Sequence, residues 1–414
     1  MTRQASWNVS TAPAPATPAP PPPVPTARTA SAGRLVGIDL ARGLAVLGMY
    51  TAHVGPDPTI GGPLGFGLEL ARGRSAALFA VLAGFSLVLI TGRPRPRTGR
   101  AGRQARARIV IRAVVLMAVG YALTALDTDV DVILSFYGLL FLLVLPLRRL
   151  GVRALALLAA ATALVLPQVL YLIRQSIEGG GWADAVVAHD PLARLTDTDG
   201  VLELFFTGEY PVLTWLPFML AGMALGRLDL GSARTRARLF VCGGALAVVG
   251  YGGSWLALHS VPGALSAVDA ATDGGSASTA WWSDTVGYVI DRTPADWLLV
   301  AVPHSQTTFS VVGNTGVALL VVAACLTVTS RMPRLTRLAT PVTAVGMTAL
   351  SAYVLHILAI RVVGMADATG PALLALLLFA GTAMAAATAW TRVLRRGPCE
   401  YLLHACTLPA RRVR

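Results

Sequence analysis

Apolar positions along the chain gather into ten runs, at roughly residues 35–53, 70–91, 108–126, 130–147, 152–173, 211–227, 238–259, 306–328, 340–363 and 371–394. A bilayer core is crossed by about 17 to 25 predominantly apolar residues, because only a helix of that length satisfies every backbone group internally where there is no water. The pattern therefore predicts an all-α polytopic membrane helix bundle of about ten transmembrane helices. The polar intervals alternate in sign. Arg3, Arg28 and Arg34, then Arg93 to Arg108, then Arg148, Arg149 and Arg153, then Arg227 to Arg238, Arg331 to Arg337, and the arginines from Arg392 onward fall on one side. Asp57, Asp127, Asp129, Asp131 and the acids of 174–210 and 260–305 fall on the other. Cationic loops stay in the cytoplasm, so both termini are expected there. Residues 1–33, rich in Pro and Ala and without an apolar core, are expected to be a disordered cytoplasmic tail. Residues 34–396 form the membrane domain, and 397–414 a short basic cytoplasmic tail.

Composition sharpens the picture. The 414 residues are 55% hydrophobic and 13% charged, with a mean hydropathy of +0.64. That is too apolar for a soluble domain. Every one of the 34 Lys-or-Arg positions is arginine, and together with abundant Ala, Gly and Pro this points to a GC-rich genome and a bacterial plasma membrane. The net charge of +13 follows membrane sidedness rather than one surface stripe, so it marks a leaflet and not nucleic acid. Cys242, Cys325, Cys399 and Cys406 make no disulfide framework. Neither they nor nearby His404 have good metal-ligand spacing, and no metal is expected.

The first run, RLVGIDLARGLAVLGMYTAH, contains Asp39, Arg42 and His53. Ionisable groups inside a membrane are costly and mark functional paths. At about 100° per residue Arg42 and His53 fall within roughly 20° of one another, with Asp39 about 60° from Arg42, so one face carries all three. Along the axis Arg42 and His53 lie roughly 16 Å apart, too far to touch but suited to lining one channel for a long substrate. Two simpler roles stand beside this: Asp39 and Arg42 could only neutralise each other, and His53 could face headgroups.

Other candidates follow from position. The segment from Arg93 to Arg112 packs its arginines at the cytoplasmic mouth of the bundle. Arg103, Arg106, Arg108 and Arg112 could attract anionic lipid, or bind the phosphates of a cytosolic donor, since guanidinium groups hold phosphate bidentately. Trp182, Trp281, Trp282 and Trp297 in the two long outer loops could form an aromatic belt, or a cap whose rings stack on sugars. His304, in PHSQTTF, enters the membrane from the same side as His53. Ser135, Tyr137, Asn314, Ser351, Tyr353 and His356 are polar positions within runs, where helix-helix hydrogen bonding competes with substrate binding as their role. Tyr353 and His356 share a face.

Arg34, then Ile38-Asp39-Leu40-Ala41-Arg42-Gly43 leading to His53, resembles the catalytic domain of the heparan-alpha-glucosaminide N-acetyltransferase family. The spacing of Arg42 and His53 also resembles the first-helix motif of membrane acyltransferases that O-acetylate bacterial surface glycans, a relative within one superfamily with a ten-helix core. ARGRSAALFAVLAGFSLVL at 71–89 is similar to the family's second span, and weaker likeness continues through 135–147, 208–228 and 345–358. The resemblance implies acyl transfer from cytosolic acyl-CoA, acetyl-CoA first among them, to an amine or hydroxyl of a glycan or small-molecule acceptor across the membrane. It makes His53 the catalytic histidine, Arg42 the donor-side arginine and Asp39 the family's acid, with Arg72 and Arg74 resembling the polar lead-in of the second helix. The chemistry suits these residues: an imidazole titrates near working pH and can act as a base on the acceptor. Membrane lipids are the expected surroundings, and a homodimer is left open. Intramembrane charge is equally expected of a multi-pass transporter or flippase, but the chain has no evident inverted repeat. A catalytically inactive scaffold is the third alternative.

Overall fold

The computed structural model describes residues 35–196, 198–273, 276–287, 289–290, 292–364 and 371–414; the Pro/Ala-rich stretch 1–33 lies outside them. The described elements are helical. In chain order they are α1 (Val36–Val54), α2 (Gly62–Ala71), α3 (Arg74–Thr91), α4 (Gly99–Thr124), α5 (Leu134–Val144) and α6 (Val152–Glu178). The short α7 (Trp182–His189) and α8 (Pro191–Thr196) precede α9 (Val212–Gly226), and α10 (Ala233–Ala247) runs through a π-helical turn into α11 (Gly253–Ser260). After α12 (Ala264–Ala270) come α13 (Thr308–Arg331), α14 (Pro333–Leu338), α15 (Thr340–Met347), α16 (Ala349–Val363), α17 (Ala372–Val393) and α18 (Pro398–Cys406).

Each of the ten apolar runs is helical, and the chain is an all-α membrane helix bundle. Among the described residues six helices are long and apolar enough to cross a bilayer, or seven if α15 and α16 count as one bent span. The others are shorter or more charged than the hydropathy pattern suggests. The α5 helix has only 11 residues, because it starts after the Asp129–Asp131 lead-in and passes into a 3-10 turn at Pro146. The α9 helix has 15. Large apolar side chains stand on the outside, among them Leu157, Val241 and Val362. In water that surface would aggregate; in lipid it is solvated.

Two seams are built by backbone approaching backbone. A Cβ on Gly346 of α15 would sit 1.7 Å from the carbonyl oxygen of Asp39, and one on Gly43 of α1 would sit 1.9 Å from that of Val342. Gly222 of α9 stands in the same relation to Val81 of α3, at 1.9 Å. Helices in lipid gain little from apolar burial against one another, so small residues that permit close contact decide which helices pair.

The α15–α16 break bends the chain by 87° at Thr348. A new helix start exposes unpaired N–H groups, which need acceptors. Glu400 of α18 supplies them: its carboxylate accepts from Leu350 N at 2.7 Å, Ser351 N at 3.2 Å and Ser351 Oγ at 2.5 Å. An anion there also complements the helix dipole. The C-terminal stretch 397–414 is thus folded onto the bundle, with Gln104 of α4 donating to the carbonyls of Arg411 and Val413.

Gly346→Ala should therefore destabilise the bundle by at least about 1–3 kcal/mol, the usual result of overpacking. Gly381→Ala, where an added Cβ meets nothing within 4 Å, should be neutral; thermal unfolding of both variants in detergent checks this.

Candidate functional site

The last turn of α1 and the middle of α16 meet through their polar side chains. Tyr50 Oη donates to the Ala352 carbonyl at 2.8 Å, which fixes the two helices in register. One turn further, His53 Nδ1 and His356 Nε2 lie 2.8 Å apart, their rings nearly parallel at 6° with centroids 5.1 Å apart. Tyr50 stacks on His356, and Tyr353 meets it edge-on. Two imidazoles at this distance share one hydrogen: one nitrogen donates and the other accepts. His356 is buried, so the bond holds the His53 ring in place.

His53 lines a cavity of about 480 Å³ whose walls carry a cluster of ionisable groups: Arg72, Asp131, Arg174, Glu209, Asp284 and His304. Several local devices build these walls. The break at Gly73, with φ +64° and its Cβ position 2.8 Å from Pro303, lets Arg72 leave the α2–α3 line and pair with Asp284 at 2.7 Å and Asp57 at 3.4 Å. Arg174 is held by the carbonyl of Phe206 at 2.8 Å. Pro167 in α6 cannot donate to the carbonyl of Ala163, and Thr308 Oγ1 takes its place at 3.0 Å.

The loop from Pro303 to Thr307 carries His304 at φ +59° and Gln306 at φ +60°, a left-handed conformation uncommon for side chains of this size. Gln306 holds it, accepting from Thr214 Oγ1 at 2.6 Å and donating to the Glu209 carbonyl at 2.8 Å. The result is an ion pair, His304 Nδ1 to Glu209 Oε1 at 2.9 Å. Burial pushes the His304 pKa down, but the charge and hydrogen bond of Glu209, with Asp131 behind it, outweigh burial and raise it. Glu209 moves the other way: burial raises it, and His304 and Arg174 bring it net below the usual carboxylate range. Asp131 is raised by burial and by Glu209.

Arg42 does not line the His53 cavity. The register puts both on one side of α1, but Arg42 donates to Asp39 at 3.0 Å and to Ser86 at 2.8 Å, and it lies within electrostatic reach of Arg112. Arg112 and Arg108 line a separate basic pocket of about 220 Å³ with Arg97, His404 and Arg411. Arg103 and Arg106 are not part of it; Arg103 is committed to the Arg414 carbonyl at 2.5 Å. Arg74 is buried, bonded to Tyr251 and to the Trp282 carbonyl. Tyr137 donates to the Ala76 carbonyl at 3.3 Å, and Tyr353 accepts from Ile133 N at 3.2 Å, both outside the charged cavity. Of the loop tryptophans, Trp297 reaches that cavity, Trp281 packs in a small apolar core of the 260–305 loop, and Trp182 is exposed.

Sequence reasoning missed Glu209, Arg174, Asp284 and Arg411. A usable signal existed for Glu209, an acid set at the very start of an apolar run in GEYPVLTW. Glu209→Gln should lower the His304 pKa, because it removes the charge that raises it. The stability supplied by this pair is present below the ordinary histidine value and is lost as pH rises through the raised folded value, and the variant should lose that window. Histidine resonances followed by NMR through a pH titration, with unfolding at matching pH values, check both.

The family model described as heparan-alpha-glucosaminide N-acetyltransferase, catalytic, matches residues 34–251, more than half of the chain. A second, described as a protein of unknown function, DUF418, matches residues 277–410. No curated protein matches the chain. The first match holds Asp39, Arg42, His53, Arg72 and Glu209, the second His304 and His356, so both histidine contacts join one matched segment to the other. The chain belongs to the heparan-alpha-glucosaminide N-acetyltransferase family of membrane acyltransferases.

Proposed function

We propose that this protein moves an acyl group from a cytosolic acyl-CoA to an amine or hydroxyl of a polar, sugar-like acceptor held on the opposite side of the membrane, with His53 as general base. The observation that carries the proposal is the His53–His356 bond in the wall of the charged cavity. With Nδ1 of His53 donating to His356, the free lone pair is on Nε2. As the acceptor heteroatom attacks the thioester carbonyl, its proton passes to Nε2; the C–S bond then breaks, and the proton leaves with the CoA thiol. Arg72, Arg174, Asp131, Glu209 and Asp284 offer a sugar both donors and acceptors, and Trp297 offers a ring face.

At the other end of the bundle, Arg97, Arg108, Arg112 and Arg411 form the phosphate-binding mouth for the donor, and Arg42, salted to Asp39, stands between that mouth and the bundle interior. This assignment needs the basic loops inside and the charged cavity outside, with ten crossings and both termini cytoplasmic in a bacterial plasma membrane. The positive-inside distribution of arginine supports it.

Purified protein incubated with labelled acyl-CoA and amino-sugar acceptors should transfer label. His53→Ala should retain folding and donor binding while turnover falls about 10²- to 10⁴-fold, the range for a positioned base. A His53→Ala protein with most of its rate would remove His53 from the reaction, and substrate flux across vesicles without transfer would make the chain a transporter. For sidedness, an impermeant thiol reagent applied to intact cells should label a cysteine placed at Ser276 and miss one at Thr98.

A further inference from the structure

One wall of the charged cavity is the stretch 276–287, whose Asp284 and Gly287 line it while Ala277, Ala280 and Val286 sit in the apolar core of the loop. Three contacts hold this stretch to α2 and the start of α3. Phe66 packs on Trp282 with ring centroids 5.6 Å apart, Arg74 donates to the Trp282 carbonyl, and Glu69 meets Asp284. The third contact sets two carboxyl groups together. Glu69 is 2% exposed. Its Oε1 accepts from Asp284 N at 3.4 Å, and its side chain lies within hydrogen-bonding reach of the Asp284 carboxyl and the Ser283 hydroxyl. Among the described residues Glu69 has no ion pair. Arg74 donates instead to Tyr251 and to the backbone carbonyls of Glu69, Arg72 and Trp282, and Arg72 pairs with Asp284 at 2.7 Å and Asp57 at 3.4 Å.

We propose that Glu69 is a protonated positioning residue whose carboxyl hydrogen is donated to Asp284, and that this one proton locks Arg72 and the 276–287 wall in place. The acyl-transfer function above enters only through what the cavity binds, not through the lock. Two ionised carboxylates in contact at a buried site repel one another, and burying an unpaired charge is costly in itself. One proton between them removes both costs. Asp284 keeps the negative charge because Arg72 is paired with it, so the hydrogen resides on Glu69. The charged groups facing Glu69 are Asp284 from the loop, Arg72 and Arg74 from the α2–α3 break and, behind Arg72, Asp57. His304 packs close to Gly73, with its charge committed to Glu209. The lock is complete at low pH and is lost as pH rises through the value at which Glu69 gives up its proton. The His304–Glu209 pair weakens in the same direction, so substitution of Glu69 is what separates the two.

The test follows hydrogen exchange of 276–287 by mass spectrometry on full-length protein in lipid nanodiscs, from about pH 5 to about pH 9, corrected for the intrinsic pH dependence of exchange. Wild-type protection should fall about tenfold per pH unit above the Glu69 transition, and the infrared band of a protonated carboxyl should vanish over the same range. Glu69→Gln, whose amide donates to Asp284 at every pH, should keep protection flat. Asp284→Asn, whose amide donates to an ionised Glu69, should also remove the step, and it serves if the first variant does not fold. Wild-type protection without a pH step, or a step of equal size in Glu69→Gln, would overturn the proposal; the second result would assign the step to His304 and Glu209. Where acyl transfer is measured, the ratio of wild-type to Glu69→Gln KM for the acceptor should rise across the same range, with kcat alike in both. If no transfer occurs, the acyl-transfer function fails instead, and exchange decides the lock alone.

Discussion

A membrane interior provides no water to a buried charge or an unpaired backbone group, and the internal organisation of this protein follows from that constraint. Asp39 and Arg42 sit one turn apart in α1 and are paired at 3.0 Å; Arg42 also reaches Ser86 across to α3. Where Pro167 strips a hydrogen bond from α6, Thr308 of α13 restores it. Where α16 begins inside the bundle, the Glu400 carboxylate fills its first turn. Each repair ties together segments distant in sequence, so satisfying the backbone also sets the tertiary structure.

The same constraint concentrates chemistry. Polar side chains not spent on repair converge on the C-terminal half of α1, where His53, His356, His304 and Glu209 come from four separate stretches of chain. The two histidine contacts differ in kind. His53–His356 is a neutral imidazole pair that fixes one ring against another. His304–Glu209 is a carboxylate–imidazole pair that favours the charged form of both partners. The structure sets these two dyads at one end of the bundle and an arginine pocket at the other, with a carbon-lined groove beside the first dyad.

Close backbone contact is the second organising device. Gly43 and Gly346 bring α15 against α1 so tightly that a single methyl group would collide with a carbonyl. That seam places the Thr348 break, and the break turns α16 so that Ala352 meets Tyr50 and His356 meets His53. Lipid-facing helices such as α17 have no equivalent seam on α16, which leaves the groove open.

The ten helical stretches, the all-α membrane class and the polar face of α1 were legible in the sequence, because transfer free energy and backbone satisfaction depend on local composition and on a fixed helical period. The family was legible from the run Ile38-Asp39-Leu40-Ala41-Arg42-Gly43 leading to His53 for the same reason, since these residues lie on one continuous helix. What the period could not show is where a long side chain goes: Arg42 and His53 share a face of α1, yet Arg42 turns to Asp39 and Ser86 while His53 turns to His356. Glu209 with His304, Gln104 with the Arg411 carbonyl, and Glu400 under α16 are partners separated by tens to hundreds of residues, and no local pattern encodes such pairings. Tertiary structure alone decided them, because a buried polar group selects whichever partner the helix packing brings within hydrogen-bond distance.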